Sequence, residues 1–219
     1  LVLVGRSSSH LDRVATDLQV RSPQSVIHVM HTDFLDPEAI SATVRRIADA
    51  GPIDIALIAH GSLSTQAECQ DDLHTARTSL EINGISPALF AEAFAREMQI
   101  ANHGTLAVIG SVAGDRGRQS NYVYGAAKGM LARYCEGLQH RFASSRVKVV
   151  LIKPGPTDTA MTAHLKSQGA RLAPVEEVAA QIVRGVNAGK RVVYVPRKWQ
   201  LIMLIIRHLP AFVFNRLKI

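Results

Sequence analysis

The strongest constraint on the fold is an alternation of apolar runs with helical patterns along the chain. Short apolar runs, the candidate strands, occupy residues 1–5, 25–31, 53–59, 105–111, 147–152 and 192–195. Helical spacing of apolar residues is found over 8–20, 37–50, 70–100 (bent near Pro87), 121–143 and 175–188. Strands that alternate with helices form βαβ units, whose sheet is mostly parallel and covered on both faces. The sequence therefore predicts an α/β, doubly wound, Rossmann-like fold.

The size and cysteine content of the chain bound its class. A chain of 219 residues that is 47% hydrophobic is long enough to bury the core of one domain. Cys69, in a predicted loop, and Cys135, on the apolar face of a predicted helix, lie far apart and lack metal-ligand spacing. The first six residues are too short an apolar run for a signal peptide. We therefore expect a cytoplasmic protein with reduced thiols and no metal site.

The positive charge is concentrated near the C-terminus. The net charge is +7, and no Asp or Glu follows Glu177. The basic residues beyond Glu177 are Arg184, Lys190, Arg191, Arg197, Lys198, Arg207, Arg216 and Lys218. An apolar segment that starts at Trp199 is interrupted by several of these cations, so it is too broken to span a bilayer, which needs about 20 mainly apolar residues. We divide the chain into a domain over 1–197 and an extension over 198–219.

Three functions are open for this extension. A short apolar helix with cations and a tryptophan suits an anionic membrane surface, and contact through 199–219 would place the protein at the inner face of the membrane. A lid over a substrate pocket and an interface of a homo-oligomer are the alternatives. Nucleic acid is not an expected partner, because few aromatic residues accompany the basic ones and no groove-reading helix is evident.

A tyrosine and a lysine one helical turn apart indicate the chemistry. Tyr124 and Lys128 are four residues apart and so share a helix face, and Ser111 ends an apolar run thirteen residues before Tyr124. A nearby ammonium lowers the pKa of a phenol, which lets the tyrosine exchange a proton with a hydroxyl or carbonyl. Ser111, at a strand end, can hold the same oxygen. The trio predicts reversible carbonyl reduction, although a lone Tyr-x-x-x-Lys also occurs on solvated helix faces.

The order and spacing of further residues make the chain resemble the short-chain dehydrogenase/reductase family over residues 1–197. Asn83 stands 28 residues before Ser111, and the run 147–152 is followed by Lys153-Pro-Gly155. The resemblance implies four catalytic residues, which are Asn83, Ser111, Tyr124 and Lys128. Tyr124 would be the acid/base, and Lys128 would lower its pKa and hold the nicotinamide ribose. Ser111 would orient the carbonyl, and Asn83 would hold a water in a proton relay.

The same resemblance implies a nicotinamide cofactor and its contacts. Pro154, Gly155 and Thr159 match the segment that lies beside the nicotinamide, with Tyr124 and Lys128 completing that end of the site. Asp33 matches an aspartate that meets the adenine. Gly61 is the one residue kept from an Asn-Asn-Ala-Gly motif, which reads Ile-Ala-His-Gly in this chain.

Arg6 favours NADP(H) as the cofactor, with NAD(H) as the alternative. It follows the first apolar run, where a guanidinium can pair with a ribose 2′-phosphate. An NAD enzyme usually places an acidic residue there, which binds the 2′-hydroxyl. A surface arginine that merely follows a strand is the competing interpretation.

The opening strand, phosphate loop and first helix of a dinucleotide-binding fold are not found in these 219 residues. Such a fold begins with a strand and a Gly-rich turn that places the pyrophosphate at a helix N-terminus. The first apolar run here ends in Gly5-Arg6, as the family's second strand does. We expect a gap in the sheet between two neighbouring strands, and weak cofactor binding by these residues alone.

Two arginines shortly after Ser111 are the candidate substrate contacts. Arg116 and Arg118 are placed to receive a phosphate diester, although a solvated loop is the competing interpretation. With residues 161–166 and the extension, Asp115-Arg-Gly-Arg118 is similar to the decaprenylphosphoryl 2-keto-pentose reductases, which reduce a lipid-linked keto-sugar. The alternatives are a small-molecule ketone of the 3-oxoacyl, ketosphinganine or steroid type, and an inactive remnant that acts as a binding module.

Overall fold

The computed structural model describes residues 1–167 and 169–217. The strands are β1 (Val2–Gly5), β2 (His28–His31), β3 (Ile55–Ile58), β4 (Thr105–Ile109), β5 (Lys148–Pro154) and β6 (Val192–Val195). The helices are α1 (Ser8–Arg21), α2 (Pro37–Asp49), α3 (Gln66–Asp71), α4 (Leu73–Leu80), α5 (Ser86–Ala101), α6 (Tyr122–Arg141), α7 (Ala163–Ser167), α8 (Val175–Asn187), α9 (Lys198–His208) and α10 (Ala211–Phe214). Short 3-10 turns span Val112–Asp115 and Ala160–Thr162, and a π-helical turn spans Glu81–Ile85.

All strand pairs among the described residues are parallel, and they form two sheets. One sheet pairs β1 with β2, and the other has the order β3-β4-β5-β6. The sheet is therefore interrupted between β1 and β3, at the place where the sequence predicted a gap. Helices connect the strands, so the predicted doubly wound α/β architecture is confirmed.

The core lies on both faces of the larger sheet. The first cluster joins β3, β4 and β5 to α2, α5 and α6, and it includes Ile40, Met98, Leu106, Leu131 and Leu151. The second joins the opposite face of β4, β5 and β6 to α8 through Ala107, Val150, Ile152, Val178 and Val193. Because β5 is covered on both faces, its residues read as a continuous apolar run rather than an alternating one.

The long helix predicted over 70–100 is divided into several parts. The chain turns at Asp72, whose carboxylate accepts hydrogen bonds from the backbone of His74 and Thr75 and so caps α4. The π-helical turn then inserts between α4 and α5, and Pro87 stands in the first turn of α5. The regular α-helical ladder is therefore interrupted before the proline, by the π-helical turn.

The two cysteines are free thiols, as the sequence predicted, and both are buried. Cys135 is fully buried on the inner side of α6. The predicted loop position of Cys69 is wrong, because it lies in α3. That helix is formed by a capping box in which Thr65 and Glu68 satisfy each other's backbone amides.

The C-terminal extension forms two helices, α9 and α10, and α9 packs beside β6 and the 3-10 turn that follows Ser111. Within the described part of the chain, no helix combines the length and the apolar character needed to cross a membrane.

Candidate active site

Three elements bring the predicted catalytic residues together at the carboxyl end of β4. Ser111 follows β4 and caps the next 3-10 turn, since its Oγ accepts a hydrogen bond of 3.1 Å from the amide of Ala113. Tyr124 and Lys128 lie in the first two turns of α6. Asn83 lies in the π-helical turn and is fully buried. π-Helical turns are uncommon and often mark functional sites.

Glycines allow the turn after Ser111 to lie directly against α6. A Cβ at Gly114 would stand 2.7 Å from the backbone carbon of Lys128, and one at Gly125 would stand 2.9 Å from the carbonyl oxygen of Ala113. No larger residue fits at either position without moving backbone. This close approach is what brings the Ser111 hydroxyl within hydrogen-bond reach of the Tyr124 phenol.

The pKa of Tyr124 departs from its ordinary value in the direction opposite to the prediction. Burial of the phenol raises the pKa, and the hydrogen bond with Ser111 opposes that shift without cancelling it. The Lys128 Nζ does lie on the same side of the helix, 5.8 Å from the centroid of the Tyr124 ring. The predicted lowering by Lys128 is wrong for this structure, because desolvation of the phenol is the dominant effect. The phenol is therefore protonated at neutral pH.

Lys128 is a buried cation whose hydrogen bond goes to a backbone carbonyl. It is 3% exposed, and its Nζ donates to the carbonyl oxygen of Ile109 over 3.1 Å. None of the ion pairs among the described residues involves it. Burial lowers the pKa of this ammonium to about 8. A group that titrates so close to neutrality can both release and recover a proton.

Asn83 holds the loop that carries Gly61. Its Oδ1 accepts a hydrogen bond of 3.0 Å from the amide of Ser62, and its Nδ2 donates over 2.9 Å to the carbonyl oxygen of Ser79. A Cβ at Gly61 would lie 2.8 Å from Asn83 Oδ1 and 3.8 Å from Lys128 Nζ. Glycine at this position therefore keeps the loop against both catalytic candidates.

The residues predicted to contact a cofactor lie at the carboxyl ends of several strands. Arg6 follows β1, is exposed, and enters no ion pair with the described residues. The exposed Asp33 follows β2, and its Oδ1 accepts from the amide of Leu35 over 2.8 Å. Pro154 ends β5, and Gly155 donates to the carbonyl oxygen of Val195. Ligands of open α/β sheets bind at this edge.

Thr159 caps the 3-10 turn that follows this segment. Its amide and hydroxyl both hydrogen bond with the hydroxyl of Thr162, at 3.2 Å each. It also lines an open depression of about 620 Å³ together with Lys166, Leu172 and Glu176. Ser111 and Tyr124 do not line that depression, which therefore lies beside the candidate site rather than over its reacting atoms.

Known proteins resemble this chain in sequence and in fold. The model of the short chain dehydrogenase family matches residues 1–170. The chain belongs to the short-chain dehydrogenase family. An uncharacterised oxidoreductase of Mycobacterium tuberculosis is 31% identical over 99% of this chain and 87% of its own length. Another, of Streptomyces coelicolor, is 30% identical over 98% of this chain and 84% of its own length.

A solved structure of the same family shows the same fold. It is a short-chain dehydrogenase from Sphingobium yanoikuyae in complex with NADPH, with a TM-score of 0.81. The two chains are 20% identical, and the likeness covers 96% of this chain and 87% of that one. At this identity the likeness concerns the fold. The family membership identifies the chain as an oxidoreductase.

His60 lies beside the candidate active site, and the sequence did not point to it as a site residue. Its ring stands 4.6 Å from that of Phe34 and 5.4 Å from that of Phe90, and its Nε2 is 2.9 Å from Ser86 Oγ. Burial, followed by the charges of Lys128 and Arg6, lowers the pKa of His60 to about 4. A neutral imidazole therefore lies near two cations of the site. Its position could have indicated this, because His60 directly precedes Gly61 and replaces the alanine of the family's Asn-Asn-Ala-Gly motif.

The substrate role predicted for Arg116 is not supported, because the structure gives this side chain another partner. Its Nη1 donates to the carbonyl oxygens of Ile206 and Leu209 at the end of α9, and its guanidinium lies 3.7 Å from the centroid of the Phe214 ring. Arg116 therefore fixes the C-terminal extension to the turn that follows Ser111. Its charge is committed to helix-terminal carbonyls.

Arg118 remains a candidate substrate contact. Its Nε is buried without a hydrogen-bond partner among the described residues. Burial lowers the pKa of Arg118, and the charge of Asp115 opposes the shift. A buried guanidinium nitrogen that lacks an acceptor is suited to an anionic ligand.

A buried polar cluster beneath the extension was not predicted. Lys153 and Asp115 form an ion pair of 2.5 Å in which both side chains are almost fully buried. The hydroxyl of Tyr194 donates to the other oxygen of Asp115 over 2.8 Å. Burial, followed by that bond, raises the pKa of Tyr194 to about 12, and Arg207 of α9 opposes the shift. The sequence carries no spacing signal for this cluster, because its members come from four separate elements.

Proposed function

We propose that this oxidoreductase reduces a ketone to a secondary alcohol with NADP(H), in a reversible reaction. The observation that carries the proposal is the hydrogen bond between Ser111 and Tyr124 in a buried setting one turn from Lys128. This arrangement presents a hydroxyl pair to one carbonyl oxygen. A reduced nicotinamide, when bound, supplies the hydride for the carbonyl carbon.

The side chains of the site account for the proton. A phenol is protonated at neutral pH, and burial keeps Tyr124 so by raising its pKa. Its hydroxyl can therefore donate a proton to the oxygen as the carbonyl carbon is reduced. Ser111 donates a second hydrogen bond that orients the same oxygen. Lys128, with a pKa of about 8, can return a proton to the phenolate. Asn83 keeps the Gly61 loop in place and lies beside this path.

The residues present fit a nicotinamide cofactor. Gly61 leaves the backbone close to Lys128 and to Asn83, whose Oδ1 a Cβ would meet at 2.8 Å. Arg6 carries a charge that no described acid neutralises, and it lies near enough to His60 to lower the pKa of the imidazole. A guanidinium there suits a 2′-phosphate, so we propose NADP(H) rather than NAD(H). Solved neighbours of the fold contain NADPH or NADP.

The substrate that we propose is a ketone on a lipid carrier, such as a lipid-linked keto-sugar. Two observations support an anionic, partly apolar substrate. The Nε of Arg118 is buried without an acceptor close to the turn that follows Ser111. Met161, beside the segment that starts at Thr159, exposes 43% of its surface. Small acyl, sphingoid and steroid ketones are the alternatives of the same reaction class.

The test is NADPH oxidation by the purified product of the complete gene, including any residues encoded before Leu1, with a panel of polyprenyl-phosphoryl, 3-oxoacyl, sphingoid and steroid ketones. We expect turnover with a polyprenyl-phosphoryl ketone, and a lower rate with NADH. Arg6→Glu should reverse the preference for NADPH, whereas the matched change Arg13→Glu, on the surface of α1, should not. Failure of every ketone to oxidise NADPH would contradict the reaction, and turnover with a steroid alone would contradict the proposed substrate.

The rival from another class is a binding module without turnover. It predicts that the protein binds no nicotinamide, which fluorescence titration with NADPH measures directly. Saturable binding that Arg6→Glu weakens would exclude that rival.

A further inference from the structure

The inner face of α9 packs against the rest of the protein. Met203 is fully buried, and the indole of Trp199 lies against Gly155, where a Cβ would stand 1.9 Å from Nε1. Arg116 occupies the carbonyl oxygens at the end of the helix. The helix is therefore held in one orientation, with a defined side turned away from the protein.

That outer side is apolar. Leu201, Leu204 and Ile205 are 63%, 54% and 56% exposed, and Phe212 of α10 is 69% exposed. The three aliphatic residues lie within one sector of the helix, since successive residues turn by about 100°. A helix on the surface of a soluble monomer usually carries polar residues there. A contiguous exposed patch of this kind marks an interaction surface.

Cations surround this apolar sector. Arg197 and Lys198 begin the helix on the same side, and Arg216 follows α10; all three are exposed. No acidic residue follows Glu177 in the chain. A second copy of the same face would bring like charges together. The complementary partner is therefore an apolar surface that carries negative charge.

We propose that the outer face of α9, with Phe212, docks the protein on an anionic lipid bilayer. The helix would lie in the plane of the interface, with its apolar side chains among the acyl chains and its cations at the headgroups. Its 11 residues are too few to cross the bilayer. Because Trp199 lies against Gly155, the docked helix would hold the candidate active site beside the lipid surface. The docking stands independently of the reaction, since it requires none of the catalytic residues.

The test is co-sedimentation of the protein with phosphatidylcholine vesicles, with and without phosphatidylglycerol. We expect binding to the anionic vesicles that weakens at high salt, because screening shortens the reach of the cations. The triple variant Leu201→Gln, Leu204→Gln, Ile205→Gln should bind at least about tenfold more weakly, since each lost apolar contact removes transfer free energy. The charge variant Arg197→Glu, Lys198→Glu should lose the preference for phosphatidylglycerol.

The matched control carries the same chemical change on other surfaces. Val20, Leu73 and Ile100 are 75%, 82% and 76% exposed, and their change to glutamine should leave vesicle binding as it is. Turnover of a soluble ketone by the α9 triple variant separates docking from catalysis. Unaltered binding of that variant would overturn the proposal. Sedimentation velocity that shows a dimer which the triple variant abolishes, without vesicle binding, would identify the face as an interface between copies instead.

Discussion

Two lysines are buried among the residues that the structure describes, and their surroundings differ. Lys128, in the candidate active site, is 3% exposed and donates to the carbonyl oxygen of Ile109. Lys153, under the C-terminal extension, is 6% exposed and pairs with Asp115, which Tyr194 also binds. The Lys128 cation lacks a counter-charge among the described residues, whereas Lys153 is paired with a carboxylate that accepts a further hydrogen bond from Tyr194.

The difference separates a chemical role from a structural one. A buried charge without a counter-charge is costly, and the pKa of Lys128 falls to about 8 as a result. Such a shift is useful where a proton must move near neutral pH. A buried pair with a further hydrogen bond is instead suited to holding elements together, here the turn after Ser111 with β5 and β6. The same residue type therefore serves both functions, depending on its neighbours.

The largest effect is expected at the catalytic region. Tyr124→Phe keeps the ring and removes the proton donor, so kcat for ketone reduction should fall by about 10²- to 10⁴-fold. NADPH affinity should change little. The control is Tyr122→Phe. Tyr122 is 44% exposed, and its hydroxyl accepts a hydrogen bond from Gln70 rather than from a residue of the site. Half of the activity remaining in Tyr124→Phe would contradict the acid/base role.

The next largest effect is expected when the buried lysine Lys153 loses its paired carboxylate. Asp115→Asn leaves the Lys153 cation buried without its counter-charge, and should lower the free energy of unfolding by about 3–5 kcal/mol. Urea denaturation measures this. The double variant Asp115→Leu, Lys153→Met removes both charges and should recover most of the loss. An Asp115→Asn variant as stable as the parent would show that the pair does not hold the turn after Ser111 against β5.

Replacing the unpaired lysine, Lys128, should stabilise the fold rather than destabilise it. Lys128→Met removes a cation that folding disfavours, so it should raise the free energy of unfolding by roughly 1–3 kcal/mol at pH 7 while turnover is lost. In the parent protein, the folded pKa lies below the unfolded one. The penalty is therefore full below about pH 8 and disappears as pH rises towards 10.5. Denaturation at pH 7 and pH 10 should show this rise in the parent and not in the variant.

The smallest effect is expected where Arg116 holds the extension. Arg116→Gln removes two hydrogen bonds and the stacking on Phe214, and should cost about 1–2 kcal/mol. Amide hydrogen exchange should become faster in α9 while α6 keeps its protection. Arg133→Gln, which breaks an exposed pair with Glu136, is the control and should have little effect. Equal protection of α9 in both variants would contradict the role given to Arg116.

Much of the fold was predictable because its signals are local. Each strand is an apolar run, and the longer helices of the domain have the expected period, so the α/β class followed from the pattern. The gap in the sheet followed from the resemblance of the first apolar run to the family's second strand. The division of the helix over 70–100 did not follow, since apolar spacing signals neither the cap at Asp72 nor the π-helical turn over Glu81–Ile85. Cys69 was misplaced because the capping box of Thr65 and Glu68 starts a helix in a segment with little apolar period.

The candidate site was predictable to the extent that spacing determines it. Tyr124 and Lys128 share a helix face at any burial, and the structure places both beside Ser111 and Asn83. The direction of the Tyr124 pKa was not predictable, because it depends on desolvation, which only packing determines. Arg116 was predicted to contact a substrate. Its actual partners, the carbonyl oxygens at the end of α9, lie about ninety residues later in the chain, and no local pattern connects them to Arg116.

By itself, the sequence determined the order of strands and helices and the periodic placement of the catalytic trio. Both are short-range properties, because backbone periodicity fixes which side chains share a face. The tertiary structure alone decided which buried lysine is paired and which side of α9 remains uncovered. It also decided that Arg118, unlike Arg116, keeps a buried nitrogen without an acceptor among the described residues. Those properties depend on contacts between distant segments and on the exclusion of water, which no local pattern records.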